Sequence, residues 1–285
     1  MICNHFDYTR AKSIDDALAK LRASDGEGKF LAGGHSLIPL MKLRLSEPRV
    51  LIDIARIPGL AGIHKKGDRF EIGAGTVHQD VALSPELQDA CPMITECAGD
   101  IGDPQVRNRG TLGGSLAHAD PAADYPAVML ALDAEIHVKG HNGWRTVKAQ
   151  DFFKGMFTVD LGSDEIIAGV QFHPAKAGAY AKLQQRASRF AIVGVAAVVD
   201  AHGGTIKSAR IGLTGACSHA KRLFDVEEAL AGKPANDKTI ETAAKMAGAG
   251  LKDLNSDIHA SAEYRKAMVG VFVRRALSKA LSRAS

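Results

Sequence analysis

The sequence predicts an α+β protein in two parts, and three features point there. Up to about residue 174, short β-rich segments alternate with glycine turns and helical stretches. From residue 165 the strands lengthen, and amphipathic helices close the chain. Its 285 residues also exceed the roughly 100 to 200 of a typical single domain.

Taken in order, residues 29–32, 49–54, 69–76 and 134–139 read as strands, each a short apolar or alternating run. Residues 37–45 carry apolar side chains at helical spacing with Lys42 and Arg44 facing out. Residues 121–132 follow Asp120-Pro121, a pair suited to a helix start because Asp can cap and Pro can occupy the first turn. Residues 165–173, 179–185, 192–201 and 205–214 are longer strands, the last two joined by a Gly203-Gly204 hairpin turn. Residues 221–230, 237–250 and 260–280 have apolar positions three and four apart, so they should pack one face on that sheet. The pattern breaks at 174–178, which divides the chain into residues 1–175 and 176–285.

Composition removes several function classes. Hydrophobic residues make up 46% and charged residues 24%, as in ordinary globular proteins. The formal charge of +4 comes from 36 basic and 32 acidic residues without a run of like charges, which argues against a nucleic-acid partner. The longest apolar stretch, residues 191–199, is about half of a bilayer span, and the amino-terminal segment lacks the plan of a signal peptide. A cytoplasmic chain with no transmembrane segment is expected. Cys3, Cys91, Cys97 and Cys217 form no C-x-x-C pair, so zinc and iron-sulfur ligand spacings are missing; they read as small buried hydrophobes.

Two glycine loops carry the functional signal. In Ala32-Gly33-Gly34-His35-Ser36 a strand runs into a double glycine, a hydroxyl residue and then a helix. Residues without a β-carbon let backbone amides approach a ligand, and amides at a helix start are free donors, so a diphosphate suits the place. Thr111-Leu112-Gly113-Gly114-Ser115 repeats the theme, and two amide-rich turns can grip both faces of a diphosphate. Neither loop has the lysine of a Walker motif. Gly73-Ala74-Gly75-Thr76-Val77-His78 begins like a dinucleotide fingerprint but ends in histidine, and its glycines read as strand-end turns. His118, Asp120 and Asp124 read as a helix start rather than as metal ligands, since no second histidine lies at helical spacing.

Together the two loops resemble the paired FAD motifs of the flavoprotein subunits of molybdenum hydroxylases. Leu37-Ile38-Pro39-Leu40-Met41-Lys42-Leu43-Arg44-Leu45, Leu51-Ile52-Asp53-Ile54 and residues 101–110 are similar, nearly in register, to the carbon monoxide dehydrogenase medium subunit. The similarity continues through Ala262-Glu263-Tyr264-Arg265, so it covers essentially the whole chain.

The resemblance implies a vanillyl-alcohol-oxidase (PCMH)-type FAD-binding domain of two subdomains, about residues 1–55 and 56–175, then a sheet-plus-helices domain. It implies non-covalent FAD here, with a molybdopterin cofactor on a large partner subunit and two-iron clusters on a small one, in a dimer of heterotrimers. Carried over by residue, Ala32, Gly33, Gly34, His35 and Ser36, with Thr111, Leu112, Gly113, Gly114 and Ser115, should hold the diphosphate. Ile101 should line the cofactor, Asp124 should lie near the flavin ring, Ile167 near the adenine, and Lys182 should follow the next strand. Phe190 falls where an aromatic meets the isoalloxazine, or else in the core, and residues 185–188 depart from the carbon monoxide dehydrogenase pattern. The implied role is an electron-transfer subunit passing electrons from iron-sulfur clusters through FAD to an external acceptor. The competing reading is a self-contained flavin oxidase or reductase, which would need its own substrate pocket.

Overall fold

The structure is a computed structural model that describes residues 2–284; Met1 and Ser285 lie outside it. A small parallel sheet opens the chain, in the order Asp7–Arg10, Val50–Asp53, Gly28–Leu31. Parallel strands need a crossover, and the Ile14–Ala23 helix joins the two outer ones, capped by Ser13 and burying Ala17 and Leu18. Neither this first strand nor this helix is among the elements expected from the sequence. The strand DYTR has no apolar alternation, and three of its four residues are exposed.

A five-stranded antiparallel sheet follows, in the order Ile63–Lys66, Arg69–Gly73, Ile166–Phe172, Glu135–Gly140, Gly143–Lys148. Ile166–Phe172 takes the centre, which explains its nearly continuous burial and its likeness to the longer strands beyond it. Short helices share its core, among them His78–Leu83, Pro85–Ala90 and Pro92–Gly99, whose Leu87, Met93, Ile94 and Cys97 are fully buried.

Gly178–Gln184, Ala191–His202, Thr205–Thr214 and Lys221–Arg222 form the last large sheet. Gly203 and Gly204, at φ +58° and +73°, make the expected hairpin turn between its two long strands. Successive side chains of a strand face opposite ways, and Ala191–His202 uses both faces. Ala196 and Val198 enter the core that contains the Tyr125–Ala131 helix, while Val193, Val195, Ala197 and Val199 enter a second core with the Ala262–Leu281 helix. The sheet is therefore the shared wall of two hydrophobic clusters.

Several boundaries differ from the sequence reading. The 121–132 helix starts only at Tyr125, because Asp120 accepts from the Ala122 N–H (2.8 Å) and closes a turn first. Residues 37–45 are helical only over Leu37–Lys42, and Arg44 sits at φ +58°. Lys221–Arg222 is an edge strand ahead of the Phe224–Leu230 helix, and the 237–250 helix stops at Ala244. At the carboxy terminus, Arg283 and Lys279 pair with Glu96, and Arg283 donates to the Gly178 carbonyl at 2.5 Å. No helix of the described residues is long and apolar enough to cross a membrane.

Candidate cofactor site

The first glycine loop leaves the Gly28–Leu31 strand and enters the Leu37–Lys42 helix. Gly34 takes φ +77°, a conformation costly for any residue with a β-carbon. Ile38 and Leu40 donate back to the carbonyls of Gly34 and Ser36. The backbone N–H groups of Gly33, Gly34, His35, Ser36 and Leu37 donate to no protein acceptor among the described residues. Ser36 makes no side-chain cap, and exposed His35 folds Nδ1 back to within 3.0 Å of the Gly33 carbonyl oxygen. A row of unpaired amides that a β-carbon would disturb fits an anionic diphosphate.

The second loop touches the first. A β-carbon built on Gly33 would lie 2.1 Å from the Arg109 carbonyl oxygen and 2.8 Å from Gly110 Cα. The glycine there is a requirement of loop-on-loop packing as much as of ligand approach.

Thr111 caps the Leu112–His118 helix, so what reads as a loop is a helix start. This corrects the expectation of a second set of free amides. Leu112 donates to Thr76 O (3.0 Å), Gly113 to Ala74 O (2.8 Å), Gly114 to Thr111 Oγ1 (3.1 Å) and Ser115 to Thr111 O (3.0 Å). What this loop still offers is the exposed, side-chain-free surface of Gly114 and the half-buried Ser115.

The remaining expected residues fall into two groups. Asp124 and Lys182 form a buried ion pair at 2.9 Å, their side chains 5% and 1% exposed. Tyr180 donates its hydroxyl to Asp124 at 2.5 Å, and Lys182 donates to the Asp100 carbonyl at 2.8 Å. Burial raises the Asp124 carboxyl above its ordinary range, with Lys182 and Tyr180 pulling it back. Lys182 lies within the Gly178–Gln184 strand rather than after it. Asp100 also pairs with Arg189 (3.3 Å), the residue before Phe190. Phe190 itself is 45% exposed, so its core reading falls away, and the following Ala191 N–H donates to the Ala122 carbonyl, two residues before Asp124. Ile101 is half-buried against the main core, its carbonyl held by Arg107 at 3.2 Å. Ile167 is buried in the central strand opposite Val138, at a bulge, and the next residue, Ala168, accepts from the Ala74 N–H at 2.9 Å, the residue whose own carbonyl holds Gly113.

The amino-terminal part, residues 4–174, matches the model of the FAD binding domain in molybdopterin dehydrogenase, and residues 178–280 match the CO dehydrogenase flavoprotein C-terminal domain. The chain belongs to the FAD-binding medium-subunit family of the molybdenum hydroxylases. It is 40% identical to the carbon monoxide dehydrogenase medium chain of Hydrogenophaga pseudoflava over 99% of each chain. It is 37% identical to the nicotine 6-hydroxylase medium subunit of Paenarthrobacter nicotinovorans over 97% of each. Among solved structures, carbon monoxide dehydrogenase from Hydrogenophaga pseudoflava superposes with a TM-score of 0.96 at 41% identity, covering 100% of both chains. Quinoline 2-oxidoreductase from Pseudomonas putida 86 superposes at 0.94 with 32% identity, covering 100% of this chain and 99% of the other.

As a flavoprotein subunit of a multi-subunit molybdenum hydroxylase, the chain also depends on a segment that the sequence reading set aside. Residues 73–78 accept the second loop's amides through Ala74 O and Thr76 O, and the His78 N–H donates to the Gly110 carbonyl at 2.9 Å. Val77 bridges Thr111. The clustered glycines were a visible signal, but their partner lies some thirty residues away, beyond any local motif.

Proposed function

We propose that this medium subunit holds FAD non-covalently, with Ala32, Gly33, Gly34, His35 and Ser36 binding the diphosphate through backbone amides. The carrying observation is the unbroken row of unpaired N–H groups from Gly33 to Leu37. Gly114 and Ser115 close the opposite side, with Thr111, Leu112 and Gly113 holding that turn in place. The half-buried Ile101 and the exposed Phe190 supply apolar surface for the cofactor. Asp124 and Lys182 act through the Asp100 carbonyl and the strand that leads to Phe190, fixing where the aromatic stands. Ile167 backs the adenine side as part of the core.

Bound FAD supplies the redox step, taking electrons from an iron-sulfur partner and passing them to an external acceptor. The protein contributes position and electrostatics: fixed amide dipoles at the diphosphate and a buried, neutralised ion pair behind the ring site. We place the molybdopterin cofactor on a large partner subunit and two-iron clusters on a small one, in a dimer of heterotrimers. The relatives' names, medium chain and medium subunit, favour such an assembly. Likeness to a carbon monoxide dehydrogenase medium chain along 99% of both chains favours the relay subunit over a self-contained flavin oxidase. We divide the chain at residues 174–178 and assign it to the cytoplasm, where unpaired Cys91, Cys97 and Cys217 suit a reducing environment.

Acid precipitation of the isolated complex tests the binding mode: FAD should appear in the supernatant. Flavin retained in the pellet, or equal binding of FMN to a deflavinated preparation, would overturn the diphosphate assignment.

A further inference from the structure

His78 is a buried polar side chain beside the second glycine turn. It is 5% exposed, and Nδ1 has no hydrogen-bond partner. Its ring centroid lies 5.4 Å from that of Tyr125, whose hydroxyl is likewise buried and unpartnered. A β-carbon on Gly110 would lie 2.6 Å from His78 Nε2 and 2.8 Å from its Cδ2, so the imidazole packs directly on Gly110. The backbone repeats the contact, with the His78 N–H donating to Gly110 O. Gly33 in turn packs against Arg109 and Gly110 so tightly that its absent β-carbon would lie 2.8 Å from Gly110 Cα. Three residues from separate segments thus touch in series, imidazole to glycine to glycine, and the last carries the first of the free amides.

We propose that His78 is a positioning residue for the FAD cradle: its ring sets the height of Gly110 and thereby the place of Gly33 and the amides that follow it. The proposal rests on the assignment of the first loop to the diphosphate. A ring of fixed volume wedged under a backbone turn is rigid, whereas a void would let the 109–110 turn sink and Gly33 follow. Amides that bind a diphosphate must converge, so a small shift of their anchor costs affinity while the surrounding sheets stay as they are.

The test is a double-mutant cycle on the deflavinated complex, reading FAD affinity by flavin fluorescence quenching and the bound state by visible circular dichroism. His78→Ala should weaken FAD at least tenfold and change the flavin dichroism, while far-ultraviolet dichroism remains that of the parent. His78→Phe, which refills the space, should recover affinity to within about threefold. Gly110→Ala should also weaken FAD, because its methyl meets the ring. In the double variant His78→Ala/Gly110→Ala the methyl fills the space that the ring left, so the two losses should not add.

Strictly additive losses, or parent-like affinity in both single variants, would overturn the proposal. If His78→Ala does not fold, Gly110→Ala and His78→Phe decide it: parent-like affinity in the first, or lost affinity in the second, refutes the stack. Failure of the parent complex to bind FAD would instead strike the assignment of the loop.

Discussion

His78 also contributes to the pH response of stability. Burial pushes its imidazole down from 6.5 to about 4, and the charges of His35 and Arg107 add to the effect. In the unfolded chain the ring takes a proton as pH falls through about 6.5, whereas in the folded chain it resists until about 4. The unfolded state therefore binds more protons across that window, and stability falls as pH drops through it. The expected loss is up to about 3 kcal/mol at the lower end, with no contribution above pH 7. Urea denaturation at pH 7, 6, 5 and 4 checks this by comparing the parent with His78→Phe. The stability difference between them should move in favour of the variant as pH falls, and parallel curves would contradict the burial of a neutral ring.

Among the elements, the two glycine loops make different contributions although their sequences look alike. The Gly33 loop is a strand-to-helix turn whose amides are unspent; the Gly113 loop is a capped helix start whose amides are spent on residues 74, 76 and 111. Gly33→Val should therefore do more than obstruct a ligand. Its β-carbon meets the Arg109 carbonyl at 2.1 Å, so the loops must part, and FAD retention should be lost with a stability cost of a few kcal/mol. Flavin absorbance and thermal unfolding of the complex measure both, and stoichiometric FAD in the variant would refute the loop contact. Thr111→Ala is the milder change. It removes the cap acceptor for the Gly114 N–H and should cost about 1 kcal/mol with FAD still bound, read from the denaturation midpoint.

At the scale of the molecule, the sheet built on Ala191–His202 joins two cores, and Glu96 clasps Arg283 and Lys279 across them. Among the described residues no His, Cys, Asp or Glu cluster is arranged for a metal. The relay reading predicts that this chain with FAD alone is not reduced by the hydroxylase substrate. Reduction should follow only when the iron-sulfur and molybdenum subunits are both present. Anaerobic stopped-flow, following flavin bleaching with each subunit omitted in turn, distinguishes the cases. Substrate-dependent bleaching by this chain alone would favour the self-contained flavoenzyme.

The sequence by itself determined the α+β character, the Gly33-Gly34 turn, the Gly203-Gly204 hairpin and the long terminal helix, because each rests on local periodicity or on φ values that only glycine adopts freely. It also carried the family, since the paired loops stand in a recognisable order. It did not contain the spending of the second loop's amides, the Asp124–Lys182 pair, or the layering of His78, Gly110 and Gly33. Each of these joins segments tens of residues apart. A backbone N–H counts as free or paired, and a carboxylate as exposed or neutralised, only when the partner that folding delivers is known. The strand at Asp7–Arg10 was hidden for the same reason: its pairing with Val50–Asp53, not its own side chains, makes it a strand.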